Sequence, residues 1–459
     1  MFTNILKTQL SETGQSFLLK KVSQYLSPLY VLLDAKLDRR LVDTFCNLFL
    51  SILMHRNRNM GLLLSELGGF IMGHDHAPAG TKRISNLLRS SKWGHELIDK
   101  YFFARGKNRI AEMYTSGIRP LLLWDDSIVE KPESWVLEGL CSVPSSKAGR
   151  LTRLKRGFYR LTSRISVPGY HWSAVMLSSL NGVPSVMHMA WWTTRGKYKE
   201  WGSNVIYRML KRIDSEIGRV ALHVFDRGYA NATMIEWLCN FEQDFLIRWK
   251  SNILLRDGLG VQKQTHLMAR SFVSSKAKWV VDKQRKSLKK VCVAWGRVFH
   301  PEFPKETLYL VVVRDKTFKG APMYLLTNTP VETSMDAWKL CFAYFHRWNI
   351  EQAFRFNKSE LGIEAPRLWF WESRLKMMAI VALVFDFLMQ MLRNWNGWAR
   401  LFIQKWGKRT GEKCKKAKIP LYRLRAAISK YLNAEWHKYL YRQEYLDIIT
   451  KATPNQSLG

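Results

Sequence analysis

The sequence is short of acidic residues. It has 37 Asp and Glu against 72 Lys and Arg over 459 residues, which gives a formal net charge of +35 and a pI of about 10.0. Such an excess of positive charge opposes compaction unless a polyanion lies close to the protein. Nucleic acid is the usual polyanion for a chain that is basic along its whole length. Charge alone leaves two alternatives open: a soluble basic protein without a polyanionic partner, and a protein that contacts anionic membrane.

Cysteine is scarce as well, and no apolar run is long. The six cysteines lie far apart without a Cys-x2-Cys pair, which argues against a disulfide framework or a zinc knuckle and indicates a reducing, cytoplasmic compartment. The most apolar segment, Met377 to Leu392, is shorter than the roughly 20 residues that span a bilayer, and Asp386 and Gln390 interrupt it. We expect a buried core helix there and no membrane partner.

One segment combines polar side chains at helical spacing. The pattern is Tyr344, Arg347, Glu351 and Lys358. On a continuous helix, which advances about 100° per residue, the four side chains lie within roughly 60° of one another. A face with a carboxylate, two cations and a phenol suits phosphate and metal chemistry and is a poor core face. The alternative for Glu351 alone is a surface salt bridge with Arg347 or Arg355.

The chain alternates between helical and strand-like regions. Helix-period patterns dominate to about residue 115, with a loop at His74 to Gly80 and a short basic helix capped by Thr81. Strands are predicted at Leu121 to Trp124, 172–180, 184–192, 220–225 and 245–249, and again at 279–282, 290–299, 307–313 and 323–326. Helix returns from about Met335 through Glu351 to Leu392. This order predicts a mixed α/β core.

Aspartates follow two of the predicted strands. Asp125 and Asp126 come after Trp124, and Asp226 comes after Phe225. Carboxylates at strand ends and one on a helix can together hold two Mg²⁺ ions, which prefer oxygen ligands, and two such ions support phosphodiester displacement. Each aspartate alone has the simpler role of turn former or helix cap. Since adjacent strand residues point to opposite faces, only one of Asp125 and Asp126 is expected in the site.

Two basic segments are candidates for contact with DNA. The first follows the first aspartates and interleaves cations with Phe158 and Tyr159; its predicted DNA-binding residues include Lys147, Arg150, Arg153 and Arg156. A solvated charged loop is the alternative. Lys82 and Arg83, on the short capped helix, are better placed to read a sequence in a major groove.

These blocks together resemble a DDE transposase of a bacterial insertion sequence, in the Tyr-Arg-Glu-Lys signature group (insertion-sequence family four). The likeness covers about residues 80–390. It rests on Leu123-Trp124-Asp125-Asp126-Ser127, on Asp226-Arg227-Gly228-Tyr229 and on the signature helix, with a β-rich stretch between the second and third acids. The first block favours Asp125 over Asp126.

The resemblance implies an RNase H-like fold and a catalytic triad of Asp125, Asp226 and Glu351 holding two Mg²⁺ ions, with Mn²⁺ as a substitute. It also implies that Tyr344, Arg347 and Lys358 hold phosphates of double-stranded DNA beside Arg227, and that two copies of the chain form a homodimer in a synaptic complex. Trp348 would stack on a displaced base or belong to the core. Some members carry a tryptophan on the strand where this chain has Met323 and Tyr324.

The implied domains are a helical N-terminal DNA-binding domain, an RNase H-like mixed-sheet core in two parts, a β-rich insertion between them, and a basic helical C-terminal region for dimerisation. Their boundaries are 1–115, 116–250 with 331–395, 251–330 and 396–459. The implied function is cut-and-paste transposition: binding of terminal inverted repeats, Mg²⁺-dependent cleavage and joining of 3′-hydroxyl ends to target DNA, at the nucleoid of a bacterial cytoplasm. Two alternatives stay open, a catalytically silent DNA-binding regulator and a nuclease without strand transfer.

Overall fold

The computed structural model describes residues 14–55, 62–134, 136–146, 165–282, 287–318, 320–394, 396–407 and 420–435. Four predicted DNA-binding residues lie outside this part of the chain: Lys147, Arg150, Arg153 and Arg156. The helices are α1 Gly14–Asp34, α2 Arg39–Met54, α3 Leu64–Met72, α4 Ala77–Arg89, α5 Glu96–Thr115, α6 Gly202–Ile217, α7 Ala232–Asn240, α8 Thr265–Met268, α9 Ser334–His346, α10 Trp348–Ser359, α11 Trp371–Asn394, α12 Asn396–Trp406 and α13 Leu421–Glu435.

The strands are β1 Leu121–Glu130, β2 Cys141–Pro144, β3 Ser166–Ser178, β4 Ser185–Trp192, β5 Leu222–Phe225, β6 Asp244–Trp249, β7 Leu254–Arg256, β8 Gln262–Gln264, β9 Lys278–Asp282, β10 Ser287–His300, β11 Phe303–Asp315 and β12 Met323–Thr327. Nine of the described strands overlap predicted ones, whereas β2, β7 and β8 were not predicted. Valine, isoleucine and aromatic residues dominate the longer ones, as expected for side chains that pack on a pleated surface.

Five strands form a mixed sheet in the order β4, β3, β1, β5, β6. β1 pairs antiparallel with β3 and parallel with β5, and β5 pairs parallel with β6. The parallel steps are connected through α6 and α7, as such crossovers require. This arrangement, with helices at both ends of the chain, confirms the predicted mixed α/β class with an RNase H-like sheet.

The strands predicted as a β-rich insertion continue the same sheet. β12 pairs antiparallel with β6, β11 pairs with β12, and β10 pairs with β11. β9 forms a hairpin with the first half of β10, from Ser287↔Asp282 to Val291↔Lys278. This hairpin stands beside α9, which contacts β10 and β11.

β1 is longer than its apolar run indicates, and the prediction that it ends at the aspartates is wrong. Its parallel register with β5 stops at Leu123↔Val224, but its antiparallel register with β3 continues through Asp125↔Ala174 to Glu130↔Gly169. Asp125 therefore lies inside a strand, at the point where β1 runs past its shorter neighbour. The backbone hydrogen bonds to β3 hold it there.

Alternate residues of the sheet face two separate cores. Leu121 and Leu123 pack in one core with α10 and α11, whereas Leu122 and Trp124 pack in the other with α6 and α7. This alternation follows from the two-residue period of a strand. Both faces of β1 are thus covered by helices.

The apolar segment near residue 380 is a buried core helix, as predicted. Over the described residues, α11 is the helix whose length and hydropathy would allow a membrane span, and 94% of its most apolar stretch is buried inside the fold. It contacts α2, α4 and α5 from the N-terminal part and α12 and α13 from the C-terminal part. The two ends of the chain therefore pack on a common helix.

The short basic helix begins earlier than predicted. His74–His76 form a turn of 3₁₀ helix, and α4 starts at Ala77 with Pro78 in its first turn, where a proline φ angle favours helix. Thr81 is consequently inside the helix, and its hydroxyl donates to the carbonyl oxygen of Ala77 at 2.9 Å. The predicted loop at 74–80 and the Thr81 cap are both wrong.

The signature segment is divided into two helices and not the single predicted one. α9 ends at His346, α10 begins at Trp348, and Arg347 forms the turn between them with φ −55° and ψ −29°. Its amide donates to Tyr344 and its carbonyl accepts from Ile350, so both bonds span three residues in the tighter 3₁₀ manner. A further break separates α10 from α11.

Candidate active site

Two adjacent parallel strands place two aspartates side by side. The pairs Leu121↔Leu222, Leu122↔His223 and Leu123↔Val224 fix the register of β1 and β5. Two residues further along each strand, the same register sets Asp125 beside Asp226. Asp226 also caps the turn that follows β5, because its Oδ1 accepts from the amide of Gly228 at 2.6 Å.

Asp125 and Asp126 occupy opposite faces of β1. Asp125 shares the face of α10 and is partly buried, with 14% of its side chain exposed. Asp126 is exposed and faces the side of Ser173 and Tyr229. The face that carries Asp125 is the one that carries Glu351, in agreement with the preference drawn from the first sequence block.

Glu351 lies in the first turn of α10, where a negative charge is favoured by the helix dipole. Arg347 joins it to the sheet. One guanidinium nitrogen, Nη1, donates to Asp125 Oδ2 at 3.2 Å, and the other, Nη2, donates to Glu351 Oε1. A single guanidinium therefore connects two of the three predicted catalytic acids.

The electrostatics of Asp125 show that the third acid is close as well. Burial is the largest cause that raises the pKa of Asp125 to about 7; Arg347 lowers the pKa, and the charges of Asp226 and Glu351 raise it. Burial also opposes the charge on Arg347, but Tyr344 and the two carboxylates outweigh it and raise the pKa of the guanidinium. The cluster thus has three acids and one closely bound cation.

The donor set fits divalent metal ions. Three carboxylates provide the hard oxygen ligands that Mg²⁺ prefers, and their mutual repulsion is what a bound cation relieves. Their ligand atoms are not all within 4.8 Å of one another. In the described part of the chain, His95, Glu96 and Glu372 form the group that meets this distance. Its two glutamates lie in the first turns of α5 and α11, where acids stabilise helix ends without a metal.

A cavity of about 650 Å³ adjoins the acids. Glu351, Arg347 and Tyr344 line it, and so do residues of the β9–β10 hairpin. Its remaining lining residues are Arg248, Trp279, Val280, Val281, Lys289, Met323, Phe342, Phe345, His346 and Trp348. The wall is thus aromatic and cationic, which is the combination found where proteins hold nucleic-acid bases and phosphates.

The structure brings together three members of the four-residue signature. Tyr344, Arg347 and Glu351 line the cavity, whereas Lys358 pairs with Glu364, with 3.6 Å between Nζ and Oε1. Trp348 is not a core residue: it is partly exposed, lines the cavity and has the guanidinium of Arg355 5.8 Å from its ring centroid.

The other predicted DNA-binding residues are at the surface or near it. Arg227 is exposed in the turn directly after Asp226, and Lys82 is exposed on α4 with Arg83 half-buried beside it. Of the two candidates for the missing strand tryptophan, Met323 lines the cavity, whereas Tyr324 points to the opposite face and is buried.

Sequence reasoning missed Trp279, Arg248 and Lys289 as site residues. Trp279 is a large aromatic residue with 62% of its surface exposed, next to Lys278. An aromatic residue next to a lysine is a weak signal for nucleic-acid contact. Only the folded chain, in which Trp279 lies opposite Lys290 in the β9–β10 hairpin, places it in the lining of the cavity.

Comparisons with known proteins bear on this site. A comparison with curated proteins finds no match. Among solved structures, the chain is similar to the cryo-EM structure of a piggyBac transposase synaptic complex with hairpin DNA, at 11% identity and a TM-score of 0.38, covering 99% of this chain and 86% of that chain. A likeness this distant supports no conclusion alone. Residues 202–386 match the transposase DDE domain, a range that includes Asp226 and Glu351 and begins after Asp125. The chain therefore contains a transposase DDE domain.

Proposed function

We propose that the chain is a transposase that binds the terminal inverted repeats of an insertion sequence, cleaves the DNA ends by Mg²⁺-dependent hydrolysis and joins the 3′-hydroxyl ends to target DNA. The observation that carries this proposal is the convergence of Asp125, Asp226 and Glu351. Two of them share the guanidinium of Arg347, and the third raises the pKa of Asp125 through its charge. The matched transposase domain supports the same function.

Asp125, Asp226 and Glu351 would hold two Mg²⁺ ions, for which Mn²⁺ would substitute. Such ions supply activation of a water or a 3′-hydroxyl and stabilisation of the leaving oxygen. The chain's own contribution is geometric: two aspartates are fixed by strand register, and the glutamate is fixed by the first turn of α10. Rigid elements of this kind keep ligands in place better than loops do.

The cations and aromatic residues around the acids would position the DNA. The planar guanidinium groups of Arg248 and Arg347 suit bidentate contacts to phosphate, and Lys289 and Lys358 supply point charges. Trp279 and Trp348, which both line the cavity, are placed to stack on a displaced base. Tyr344 lies against Arg347, with the guanidinium carbon 5.8 Å from its ring centroid.

Residues farther from the acids would bind the rest of the duplex. Arg227 adjoins the catalytic turn, and Lys82 and Arg83 on α4 would contact the transposon end. We also propose that the helical N-terminal part binds DNA, that two copies assemble as a homodimer on two ends, and that the protein acts at the bacterial nucleoid. Mass photometry with and without paired end DNA would test the assembly.

The direct test uses the full chain, DNA that carries the inverted repeats flanking its own gene, and a supercoiled target plasmid. We expect cleavage at the ends and covalent joining to the plasmid with Mg²⁺, and neither with EDTA. Asp125→Asn, Asp226→Asn and Glu351→Gln should each lose both reactions and still bind end DNA. Cleavage without joining would identify a nuclease. Binding without cleavage in the unmodified chain would identify a regulator.

A further inference from the structure

Arg347 has a different partner from the one its sequence motif indicates. The motif suggests a phosphate ligand, yet the guanidinium donates to Asp125 and Glu351 inside the acid cluster. Only 12% of its side chain is exposed. Its Nε is buried and has no hydrogen-bond acceptor among the described residues. In the DNA-free chain Arg347 is thus a cation held by the catalytic acids.

The guanidinium and divalent ions cannot both use these oxygens fully. Arg347 takes up Oδ2 of Asp125 and Oε1 of Glu351, which a metal ion between the two residues would also need. Both cations relieve the same repulsion among three acids, and two positive centres within a few ångströms repel each other. Occupation by one must weaken occupation by the other.

The cavity provides a second position for the side chain of Arg347. Its side chain also lines the 650 Å³ cavity, together with Arg248, Lys289 and Trp279. The residue lies in the turn between α9 and α10, so a side-chain rotation reaches the cavity while both helices stay intact. A phosphate that entered between Arg248 and Arg347 would find two guanidinium groups, which is an anion site that exists only after Arg347 leaves the acids.

We propose that Arg347 is an internal counter-ion that exchanges with divalent metal: metal binding at Asp125 and Glu351 releases the guanidinium, which then binds a DNA phosphate in the cavity. This inference rests on the proposed function. By thermodynamic linkage, metal must raise the affinity for DNA through Arg347 by the same factor as DNA raises the affinity for metal. Until metal binds, Arg347 offsets part of the negative charge of the acid cluster.

The first experiment measures metal affinity without DNA and without activity. Mn²⁺ binding to the full chain is followed by electron paramagnetic resonance in the unmodified protein, in Arg347→Gln and in Arg248→Gln. Arg347→Gln should bind Mn²⁺ roughly tenfold tighter, within the usual range of coupling between ligands. Arg248→Gln, which removes an equal charge from the same cavity without touching the acids, should change the affinity much less. Equal or weaker binding by Arg347→Gln overturns the proposal.

The second experiment measures DNA affinity with and without Ca²⁺ as a divalent probe. Ca²⁺ should strengthen end-DNA binding by the unmodified chain and by Arg347→Lys, which keeps a releasable charge, and should have little effect on Arg347→Gln. The same Ca²⁺ increment in all three proteins contradicts the exchange. Glu351→Gln distinguishes failure of the proposed metal site from failure of the counter-ion role of Arg347. If it leaves Mn²⁺ binding unchanged, the metal site of the proposed function fails; if it abolishes Mn²⁺ binding while Arg347→Gln has no effect, only the counter-ion role fails.

Discussion

Two carboxylate–guanidinium sites in this protein show how the same groups serve different purposes. Asp386 on α11 is 1% exposed, and both its oxygens have partners. The amide of Val186 donates to Oδ1 at 2.9 Å, the hydroxyl of Tyr25 donates to Oδ2 at 2.9 Å, and Arg105 pairs with Oδ2 at 2.5 Å. One carboxylate is matched by one cation and neutral donors.

The acid cluster of Asp125, Asp226 and Glu351 is arranged differently. There Arg347 divides its donors between Asp125 and Glu351, and Asp226 adds a further negative charge. Around Asp386 both carboxylate oxygens have donors, and these contacts hold α1, α5, β4 and α11 together. Around Asp125 negative charge is in excess, which costs stability and attracts a cation. We infer that the first site serves folding and the second serves chemistry.

The largest expected effect is on stability and should come from removal of the Asp386 carboxylate. Asp386→Ala leaves the partly buried guanidinium of Arg105 without its carboxylate partner, and removal of one member of a buried pair costs about 3–5 kcal/mol. Urea unfolding followed by circular dichroism measures this loss. Asp125→Asn should lower the free energy of unfolding far less, because Arg347 keeps Glu351 and repulsion from Asp226 is relieved. Similar losses in both variants would make the acid cluster a structural feature.

The second prediction concerns the rate of DNA cleavage and compares Asp125 with Asp126. Asp125→Asn should slow Mg²⁺-dependent cleavage of end DNA by more than about 100-fold, since changes to residues that merely support metal ligands already cost roughly 10–100-fold. Asp126→Asn is the matched control, because it makes the same chemical change on the opposite face of β1. We expect it to stay within a few-fold of the unmodified chain. If Asp126→Asn slowed cleavage more than Asp125→Asn, Asp126 would be the metal ligand.

A third prediction is that the acid cluster, unlike the site around Asp386, adjoins a surface that binds DNA. Trp279→Ala and Trp348→Ala should each weaken binding of end DNA by about 1–3 kcal/mol, the value of one base–aromatic stack. Fluorescence anisotropy gives the affinities. Trp369, which is 54% exposed and does not line the cavity, provides the control variant Trp369→Ala. A loss of equal size in the control would mean that the cavity has no special part in binding.

The smallest effect concerns Lys358, the signature residue that pairs outside the cluster. Glu364→Gln removes its partner and should strengthen DNA binding by up to about fivefold, because a partly exposed ion pair is worth roughly 0.2–1 kcal/mol. Glu332→Gln removes an equal charge from an exposed position and corrects for net charge. If the two variants bind alike, Lys358 does not reach the DNA.

The sheet was predictable because its signals are local. Alternating and apolar runs located β1, β3, β4, β5 and β6, and the aspartates after two of them indicated where functional side chains gather. The length of β1 was not predictable from its own residues. Asp125-Asp126-Ser127 looks like the start of a turn, but pairing with β3 keeps these residues extended.

The break at Arg347 also lacked a local signal. The segment contains no proline or glycine, and its backbone stays in the helical region, so periodicity favours one helix. At α4, by contrast, the signal was present and misread: Pro78 marks the helix start more strongly than Thr81 marks a cap. The ion pair of Arg347 with Asp125 joins positions 222 residues apart, and only the folded chain shows it.

The most direct test of the central claim is anomalous diffraction from crystals of the full chain with Mn²⁺ and end DNA. The account predicts manganese peaks within about 2.0–2.3 Å of carboxylate oxygens from Asp125, Asp226 and Glu351. Peaks confined to His95, Glu96 and Glu372, or acids that bind no ion while Arg347 keeps its two partners, would contradict it.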